Sequence, residues 1–380
     1  MSRMRTVPIG WTKGTLQDLV FFQRGFDITK EQQHPGDVPV VSSSGINSYH
    51  SEAMVDGPGV VIGRKGSLGT VHIVDGPYWP HDTTLWSKDL RGNDPRFVYY
   101  YLHTLGLERY DTGNSNPTLN RNHIHVLDVL IPRLSIQERI AQTLKNYDDL
   151  IENNRRRIQL LEQAARLLYK EWFVHLRFPG HEHVKITNGV PDGWEKKMLG
   201  DLCKEIRESV SPDAFEPDTP YIGLEHIPRC SISLNEWGMA EQVTSSKHRF
   251  RENEILFGKI RPYFHKVGIA FVNGVASSDA IVIRPLSDFL KPLVLMTVSS
   301  DGFVAVTSQT MKEGSKMPRA DWKQMQQYVV PLPPDGLLGM FNSVIEPIVQ
   351  QLKVLSFHNR KLGTARDLLL PRLMNGTIPV

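Results

Sequence analysis

The feature that most constrains this chain is an internal duplication with a period close to 200 residues. The pattern Pro-x-Gly-Trp, followed by Leu-x-Asp-Leu, occurs at residues 8–19 and again at 191–202, an offset of 183. Residues 61–65 match 256–260 at an offset of 195, and from Gly113 onward the offset stays at 201. A period this long indicates two copies of a domain. Because the offset drifts only before Gly113, the insertions lie in the front of each half, and the back has constant length.

The back of each half predicts a long helix. Apolar residues recur at alternating spacings of four and three over more than four heptads, which is typical of a coiled coil. Asn154 and Asn359 lie within these seams, as polar residues that set register do. The alternative is two amphipathic helices that each pack on their own domain, but such helices carry a wider apolar stripe. The predicted seams are Ile140, Leu144, Tyr147, Ile151, Asn154, Ile158, Leu161, Ala165, Leu168 and Trp172, and Phe341, Ile345, Ile348, Leu352, Leu355, Asn359, Leu362, Arg366, Leu369 and Leu373.

Local signals mark the starts of both helices. Ser135 with Glu138 predicts an N-cap and a capping box for the first helix. Asp335-Gly336 stands at the matching place in the second half, which puts the cap of the second helix in doubt. Pro347 predicts that the second helix is kinked or starts later.

Connectivity predicts how the helices run. About seventeen residues separate the end of the first helix near Phe173 from the second domain at Pro191, so the second domain lies at the far end of that helix and the second helix returns. Helices of about 39 residues would each span ~58 Å. The predicted fold class is α+β, with two similar domains separated by a long antiparallel coiled coil of two helices, a pseudo-two-fold internal repeat. The predicted bounds are 1–134 for domain one, 135–176 for the first helix, 177–334 for the linker and domain two, and 335–380 for the second helix and tail.

The front of each half contains short apolar or alternating runs bounded by turn residues, which indicate strands. Strands are predicted at 38–41, 59–62, 70–74, 254–257 and 280–283, and helices at 94–105 and 286–299.

Composition excludes several classes of protein. The 380 residues carry a formal net charge of +3, which permits local nucleic-acid-binding patches without demanding them. Two cysteines, Cys203 and Cys230, are too few for a disulfide scaffold or a four-cysteine zinc site. The start of the chain has no signal-peptide pattern, and no apolar run is long enough to span a membrane. These features predict a soluble, cytoplasmic protein.

Two similar domains held at a fixed distance suit DNA, on which sites one turn apart present the same groove at ~34–36 Å. Two loops occupy matching places in both halves: 63–69 with 258–266, and 111–121 with 312–319. Their cations suit phosphates or guanine edges, and their amides and hydroxyls can read bases. The alternatives are solvated hairpin turns for the first pair and cap or turn residues for the second. The candidate DNA-binding residues are Arg64, Lys65, Ser67, Asn114, Asn116, Thr118, Asn120 and Arg121 in the first half, and Lys259, Arg261, Tyr263, Lys266, Lys312, Ser315, Lys316 and Arg319 in the second.

A search for catalytic motifs finds none. Residues 116–118 (Asn-Pro-Thr) lack the second proline and the aromatic residue of an adenine methyltransferase box. The glycines of loop 63–69 fit neither a dinucleotide fingerprint nor a phosphate loop. The histidines between 175 and 183 lack a cysteine or a second carboxylate beside them and are interpreted as surface residues. We predict a non-enzyme without catalytic residues, metal or cofactor.

Further motifs resemble one known family. YKEWF at 169–173 and RFPGHE at 177–182 follow the first helix, and ARDLLLPRLMNG at 365–376 closes the second. VLIP at 129–132 and VVPLPP at 329–334 stand at the strand-to-helix junctions. Together these motifs resemble the specificity subunit of type I restriction–modification enzymes along the whole chain.

The resemblance implies a function and partners. It implies two target-recognition domains, each reading one half of a gapped, asymmetric DNA site. The helices would dock two modification subunits, which carry S-adenosylmethionine and methylate adenine, and restriction subunits would join to translocate and cut DNA. Two other hypotheses stay open: a stand-alone DNA-binding or architectural protein, and a structural adaptor whose repeated domains bind protein. Partner contacts are expected at Arg155, Arg156, Trp172, Phe173, Arg366 and Arg372.

Overall fold

The computed structural model describes residues 7–111, 117–309 and 318–380. The chain divides into two compact units. Unit 1 comprises residues 1–151 and 361–380, and unit 2 comprises residues 152–360.

The front of unit 1 is built from short strands and helices. Its strands are β1 (Trp11–Thr15), β2 (Phe21–Arg24), β3 (Val38–Ser42), β4 (Gly45–His50), β5 (Gly59–Gly63), β6 (Val71–Val74), β7 (Trp79–Pro80), β8 (Thr84–Asp89) and β9 (Asp128–Pro132). Its helices are α1 (Leu16–Leu19), α2 (Pro95–Leu102), α3 (Arg121–His125) and the first part of the long helix α4 (Leu134–Tyr169). A four-stranded sheet has the order β2-β8-β5-β6, a three-stranded sheet has the order β4-β3-β7, and β1 pairs with β9.

The core of unit 1 lies between the four-stranded sheet and α2. Strand β5 (GVVIG) is buried along its whole length, as expected of an apolar strand with β8 on one side and β6 on the other. Asp94 caps α2 by accepting a hydrogen bond from the Phe97 N–H at 2.7 Å. The helix then buries five of its eight residues.

Unit 2 repeats this plan with a larger β portion. Its strands are β10 (Ile186–Thr187), β11 (Val190–Pro191), β12 (Glu195–Met198), β13 (Cys203–Ile206), β14 (Ser209–Val210), β15 (Pro220–Ile222), β16 (Ser233–Leu234), β17 (Gly238–Met239), β18 (Lys247–Phe250), β19 (Ile255–Gly258), β20 (Val267–Ala270), β21 (Gly274–Ala276), β22 (Ala280–Pro285) and β23 (Val329–Leu332). Its helices are the second part of α4, α5 (Lys291–Val298), α6 (Asp301–Gln309), α7 (Trp322–Met325) and most of α8 (Asp335–Met374). Two five-stranded sheets have the orders β13-β22-β19-β20-β16 and β14-β18-β21-β15-β17.

The two units share one structural signature of the repeat. In unit 1 the first strand, β1, pairs antiparallel with β9, the strand that leads into α4. In unit 2, β12 pairs in the same way with β23, which leads into α8. The predicted strands at 38–41, 59–62, 70–74, 254–257 and 280–283 are confirmed as β3, β5, β6, β19 and β22. The two predicted front helices are shorter than expected, because α2 ends at Leu102 and α5 begins at Lys291.

Two predictions about the long helices are wrong. Ser135 is not the N-cap, because α4 begins at Leu134 and the Arg133 carbonyl accepts its first N–H bonds. In α8 the Pro334 carbonyl likewise accepts the first N–H bonds of the helix. The helix begins at Asp335, so the Asp335-Gly336 sequence does not delay it. Pro347 does not delay α8, which is continuous from Asp335 to Met374. The alternative, a kink at Pro347, stays a prediction.

Both predicted seams face other protein atoms: every residue in them is buried or half-buried. In unit 2 the Asn154 side-chain amide donates to the Asn359 side-chain carbonyl at 2.9 Å. The rings of Trp172 and Phe341 lie 5.7 Å apart. As residue numbers rise on α4 they fall on α8, so these two segments of unit 2 run antiparallel.

His125 is expected to make unit 1 sensitive to acid. Its Nε2 accepts a hydrogen bond from the Phe22 N–H at 3.0 Å, which requires a neutral ring. Burial, and after it the charge of Arg121, lowers the pKa of His125 below its ordinary 6.5. The folded state therefore binds fewer protons than the unfolded state once the pH falls below about 6.5, and stability declines from there.

We expect the urea midpoint of unfolding to fall on acidification, less steeply in His125→Gln than in wild type. Exposed His123, changed to glutamine, is the control; an unchanged slope in His125→Gln would contradict this role.

Within the described residues, no single helix is both long and apolar enough to cross a membrane. One bent pair, residues 288–298 with 301–309, passes the same test of length and composition.

Candidate nucleic-acid interface

In unit 1 the first predicted DNA-binding loop follows β5. A β-carbon at Gly63 would lie 2.0 Å from the Ser67 carbonyl oxygen, so only glycine lets the loop fold back this closely. Gly66 and Gly69 have φ of +74° and +72°, the left-handed region that glycine adopts readily. These glycines build a tight turn on which Lys65 and Ser67 are exposed.

The second predicted loop of unit 1 lies directly beside the first. Lys65 forms an isolated β-bridge with Thr118. The Leu119 N–H donates to the Arg64 carbonyl at 2.9 Å. Two loops more than fifty residues apart in sequence therefore form one surface of unit 1.

Unit 2 repeats this juxtaposition at matching positions. Ile260 forms an isolated β-bridge with Arg319. The Ala320 N–H donates to the Lys259 carbonyl at 2.9 Å, as Leu119 does to Arg64 in unit 1. In both units the structure thus brings together the two loops that the sequence singled out separately.

The backbone of the unit 1 loop is bonded to the segment that contains Thr83. The Thr83 carbonyl accepts the N–H groups of both Arg64 and Lys65, at 2.8 and 3.1 Å. Burial lowers the pKa of the Arg64 guanidinium, and the charge of Arg24 acts in the same direction against that of Asp82. The Nη1 atom of Arg64 is buried without a hydrogen-bond acceptor among the described residues. Unsatisfied buried donors are rare in proteins, so this nitrogen of the first loop is an exception.

The cations of unit 2 are more fully engaged by the protein. Lys259 Nζ donates to the Ser278 carbonyl at 3.3 Å, and Arg319 pairs with Asp279 at 3.3 Å. Lys266 Nζ donates to the Leu224 carbonyl. The Arg261 guanidinium lies 5.9 Å from the centroid of the Phe264 ring, and the side chain of Tyr263 is exposed. The different surroundings of the two loops suit units that read different sequences.

Two of the predicted DNA-binding residues, Asn120 and Arg121, have structural roles at the start of α3. Asn120 is confirmed as the N-cap of α3, since its side-chain oxygen accepts from the Asn122 N–H at 3.0 Å. Arg121 is the first residue of that helix and is half-buried. Asn114, Asn116, Lys312, Ser315 and Lys316 lie outside the described residues.

The six residues predicted to contact partner subunits differ in how exposed their side chains are. Arg155 and Arg156 are exposed on α4 beside Glu152, and Arg372 is exposed on α8. Arg366 instead pairs with Asp148 at 2.6 Å inside unit 1. Trp172 and Phe173 are buried in the core of unit 2, where packing accounts for both rings and leaves them little surface for a partner.

One group of possible metal ligands occurs within the part of the chain that the structure describes. Ligand atoms of Asp27, His81 and Asp82 lie within 4.8 Å of one another. Asp82 is already paired with Arg24 at 2.8 Å, so this carboxylate forms an ion pair with an arginine of the same unit. This group could not be predicted from sequence spacing, because Asp27 lies on a different segment from His81 and Asp82.

The family profile described as "Type I restriction modification DNA specificity domain" matches residues 8–163 and 191–337. These two matches coincide with the two halves of the repeat. The chain belongs to this family.

Individual members agree with this assignment. The specificity subunit of the type I restriction enzyme MjaIX from Methanocaldococcus jannaschii is 23% identical over 84% of this chain and 78% of its own length. The EcoDI specificity subunit from Escherichia coli is 22% identical over 86% of this chain and 79% of its own. The S subunit of the type I system from M. genitalium has a similar fold, with a TM-score of 0.65, 16% identity and 98% of each chain covered.

Proposed function

We propose that this specificity-family chain recognises a bipartite, gapped, asymmetric DNA site, with one half read by unit 1 and the other by unit 2. The observation that carries the proposal is the repeated juxtaposition of two loops at matching positions of both units. In unit 1 it joins Arg64 to Leu119, and in unit 2 it joins Lys259 to Ala320. A loop with cations beside a loop with amides or hydroxyls suits both phosphate contact and base reading.

We propose further that α4 and α8 form a long antiparallel coiled coil that sets the gap between the half-sites. The Asn154–Asn359 and Trp172–Phe341 contacts of unit 2 support this arrangement. The Asp148–Arg366 pair of unit 1 follows the same register. A polar pair inside an apolar seam is a known means of fixing the register of two helices.

In this proposal the chain is a non-catalytic subunit. Two modification subunits dock on its helices, bind S-adenosylmethionine and methylate adenine, and restriction subunits join that complex. Arg155, Arg156 and Arg372 are the partner contacts best placed for this, because their side chains are exposed. The chain itself uses no cofactor, metal or catalytic residue.

The first experiment is co-expression with the modification subunit encoded beside this chain, in a host without DNA methylation. Sequencing the genome for N6-methyladenine is expected to reveal a single gapped, non-palindromic motif. No new methylation, from a complex that assembles and binds S-adenosylmethionine, would reject the proposal and favour the stand-alone DNA-binding protein, which predicts tight binding by the isolated chain.

Alanine at both Arg64 and Lys65 is expected to weaken DNA binding by the assembled complex by ~10- to 100-fold. Each lost phosphate contact should also reduce the salt dependence of binding by about 0.9 in logarithmic slope. The same change at Lys259 and Arg261 should act in the same way on the other half-site. Exposed Lys88 and Arg91 provide a charge-matched control in unit 1. Unchanged affinity in both loop variants would favour the structural adaptor.

A further inference from the structure

Unit 1 contains an open cavity of about 840 Å³ beside the end of β2. It is lined by polar residues of the kinds that read base edges, together with apolar side chains and Arg121 from α3. The lining residues are Gln23, Arg24, Gly25, Phe26, Asp27, Met54, Trp79 and Arg121. Only Arg121 was a candidate from the sequence.

A carboxylate of the protein orients one wall of this cavity. Arg24 Nη2 bonds Asp82 Oδ2 at 2.8 Å. The Arg24 side chain is 54% exposed, whereas that of Asp82 is 18% exposed. Asp82 is therefore the more buried partner, and about half of the Arg24 side chain remains exposed. An arginine held in this way loses less conformational entropy when it binds a second planar group.

The backbone fixes the position of this pair. A β-carbon at Gly25 would lie 2.2 Å from the His81 carbonyl oxygen, so glycine is required for the two segments to lie this close. The Phe26 N–H donates to the Pro80 carbonyl at 2.8 Å. These contacts place Arg24 next to the segment 81–83, to which Arg64 and Lys65 also bond.

We infer that this cavity receives the edge of one base pair in the half-site of unit 1, and that Arg24 reads a guanine there. This inference rests on the proposed function. Arginine pairs with guanine O6 and N7 through two parallel hydrogen bonds, which a lysine does not reproduce in geometry. Phe26 and Trp79 line the same cavity, with their rings edge to face at 6.3 Å, and form its apolar wall. Asp82 is a positioning residue that acts through Arg24.

The test is a comparison of methylation motifs between variants of the complete complex. Arg24→Ala is expected to make one G·C position of one half-site degenerate, with a ~10- to 100-fold loss of discrimination at that position. The other half-site, identified by the Lys259 and Arg261 variants, should not change. Arg24→Lys retains the charge and should lose the same preference.

Matched controls make the result decisive. Arg91→Ala removes another exposed arginine of unit 1, paired with Asp89 at 2.8 Å but outside the cavity, and should leave the motif unchanged. Asp82→Asn should reduce base discrimination at the same motif position as Arg24→Ala does. The double variant should lose no further discrimination there. If methylation fell without any change in base preference, Arg24 would be a phosphate contact and the inference would be overturned. An unchanged motif in both Arg24 variants would overturn it as well. A wild-type complex without any motif would instead overturn the proposed function.

Discussion

Replacing Glu162 with alanine is expected to lower the free energy of unfolding of unit 2 by about 3–5 kcal/mol. This α4 carboxylate is 6% exposed. Its Oε1 accepts hydrogen bonds from the Ser231 hydroxyl at 2.7 Å, the Ile232 N–H at 3.1 Å, and the Ser233 N–H and hydroxyl at 3.0 and 2.6 Å. Alanine would leave all four donors without this acceptor, and several of them are buried.

Urea denaturation monitored by tryptophan fluorescence measures this effect. Glu162→Gln retains an oxygen acceptor but loses the charge, and should cost about 1–2 kcal/mol. Glu152→Ala is the matched control, because this glutamate of α4 is exposed beside Arg155 and Arg156 and should matter by less than about 0.5 kcal/mol. A Glu162→Ala protein as stable as the control would show that the carboxylate does not hold the 231–233 segment to the helix.

Lengthening both long helices by two heptads, near Arg156 and Arg360, is expected to lengthen the gap in the recognised DNA site by about 6 bp. Each heptad adds ~10 Å of helix, which corresponds to ~3 bp of DNA at 3.4 Å per base pair. Whole heptads preserve the apolar seam of both helices. Because the helices run antiparallel, the two insertions lie on opposite sides of the Asn154–Asn359 pair, so each asparagine would face an inserted seam residue, and an asparagine at that inserted position keeps the polar contact. The methylation motif of the complete complex gives the gap directly.

Two further variants serve as controls for the insertion. One heptad in each helix should give about half the increment, with both half-site sequences unchanged. Two heptads in α4 alone should disrupt pairing and abolish methylation, because the seams no longer match. A folded and active variant with two heptads in both helices and an unchanged gap would reject the coiled coil as the device that sets the spacing.

Much of the fold could be predicted from local patterns. The strands at 59–62 and 280–283 follow from apolar runs between turn residues, and the long helices follow from a seam of period 3.5. The errors arose at boundaries, where local signals compete with packing. Ser135 carries a good cap signature, yet α4 already begins at Leu134, and α8 is continuous through Pro347.

The candidate site was only partly predictable. Glycine and cation patterns identified the loops around Arg64 and Lys259, because tight turns need glycine and phosphates attract cations. Nothing local distinguishes Arg24, whose proposed role depends on its ion pair with Asp82 on another segment. Trp172 and Phe173 illustrate the opposite case: a motif typical of the family indicated a partner surface, and the structure buries both rings.

The sequence by itself determined the duplication, the two long helices, the α+β character of each half and the family. These properties are encoded by composition and by periods of a few residues, which require no knowledge of the tertiary fold. Only the tertiary structure decided that the two loops of each unit meet, that Asp82 orients Arg24, and that Glu162 binds residues 231–233. Such contacts join residues 53 to 71 positions apart, and the register of the sheets and the packing of the helices decide which side chains come together.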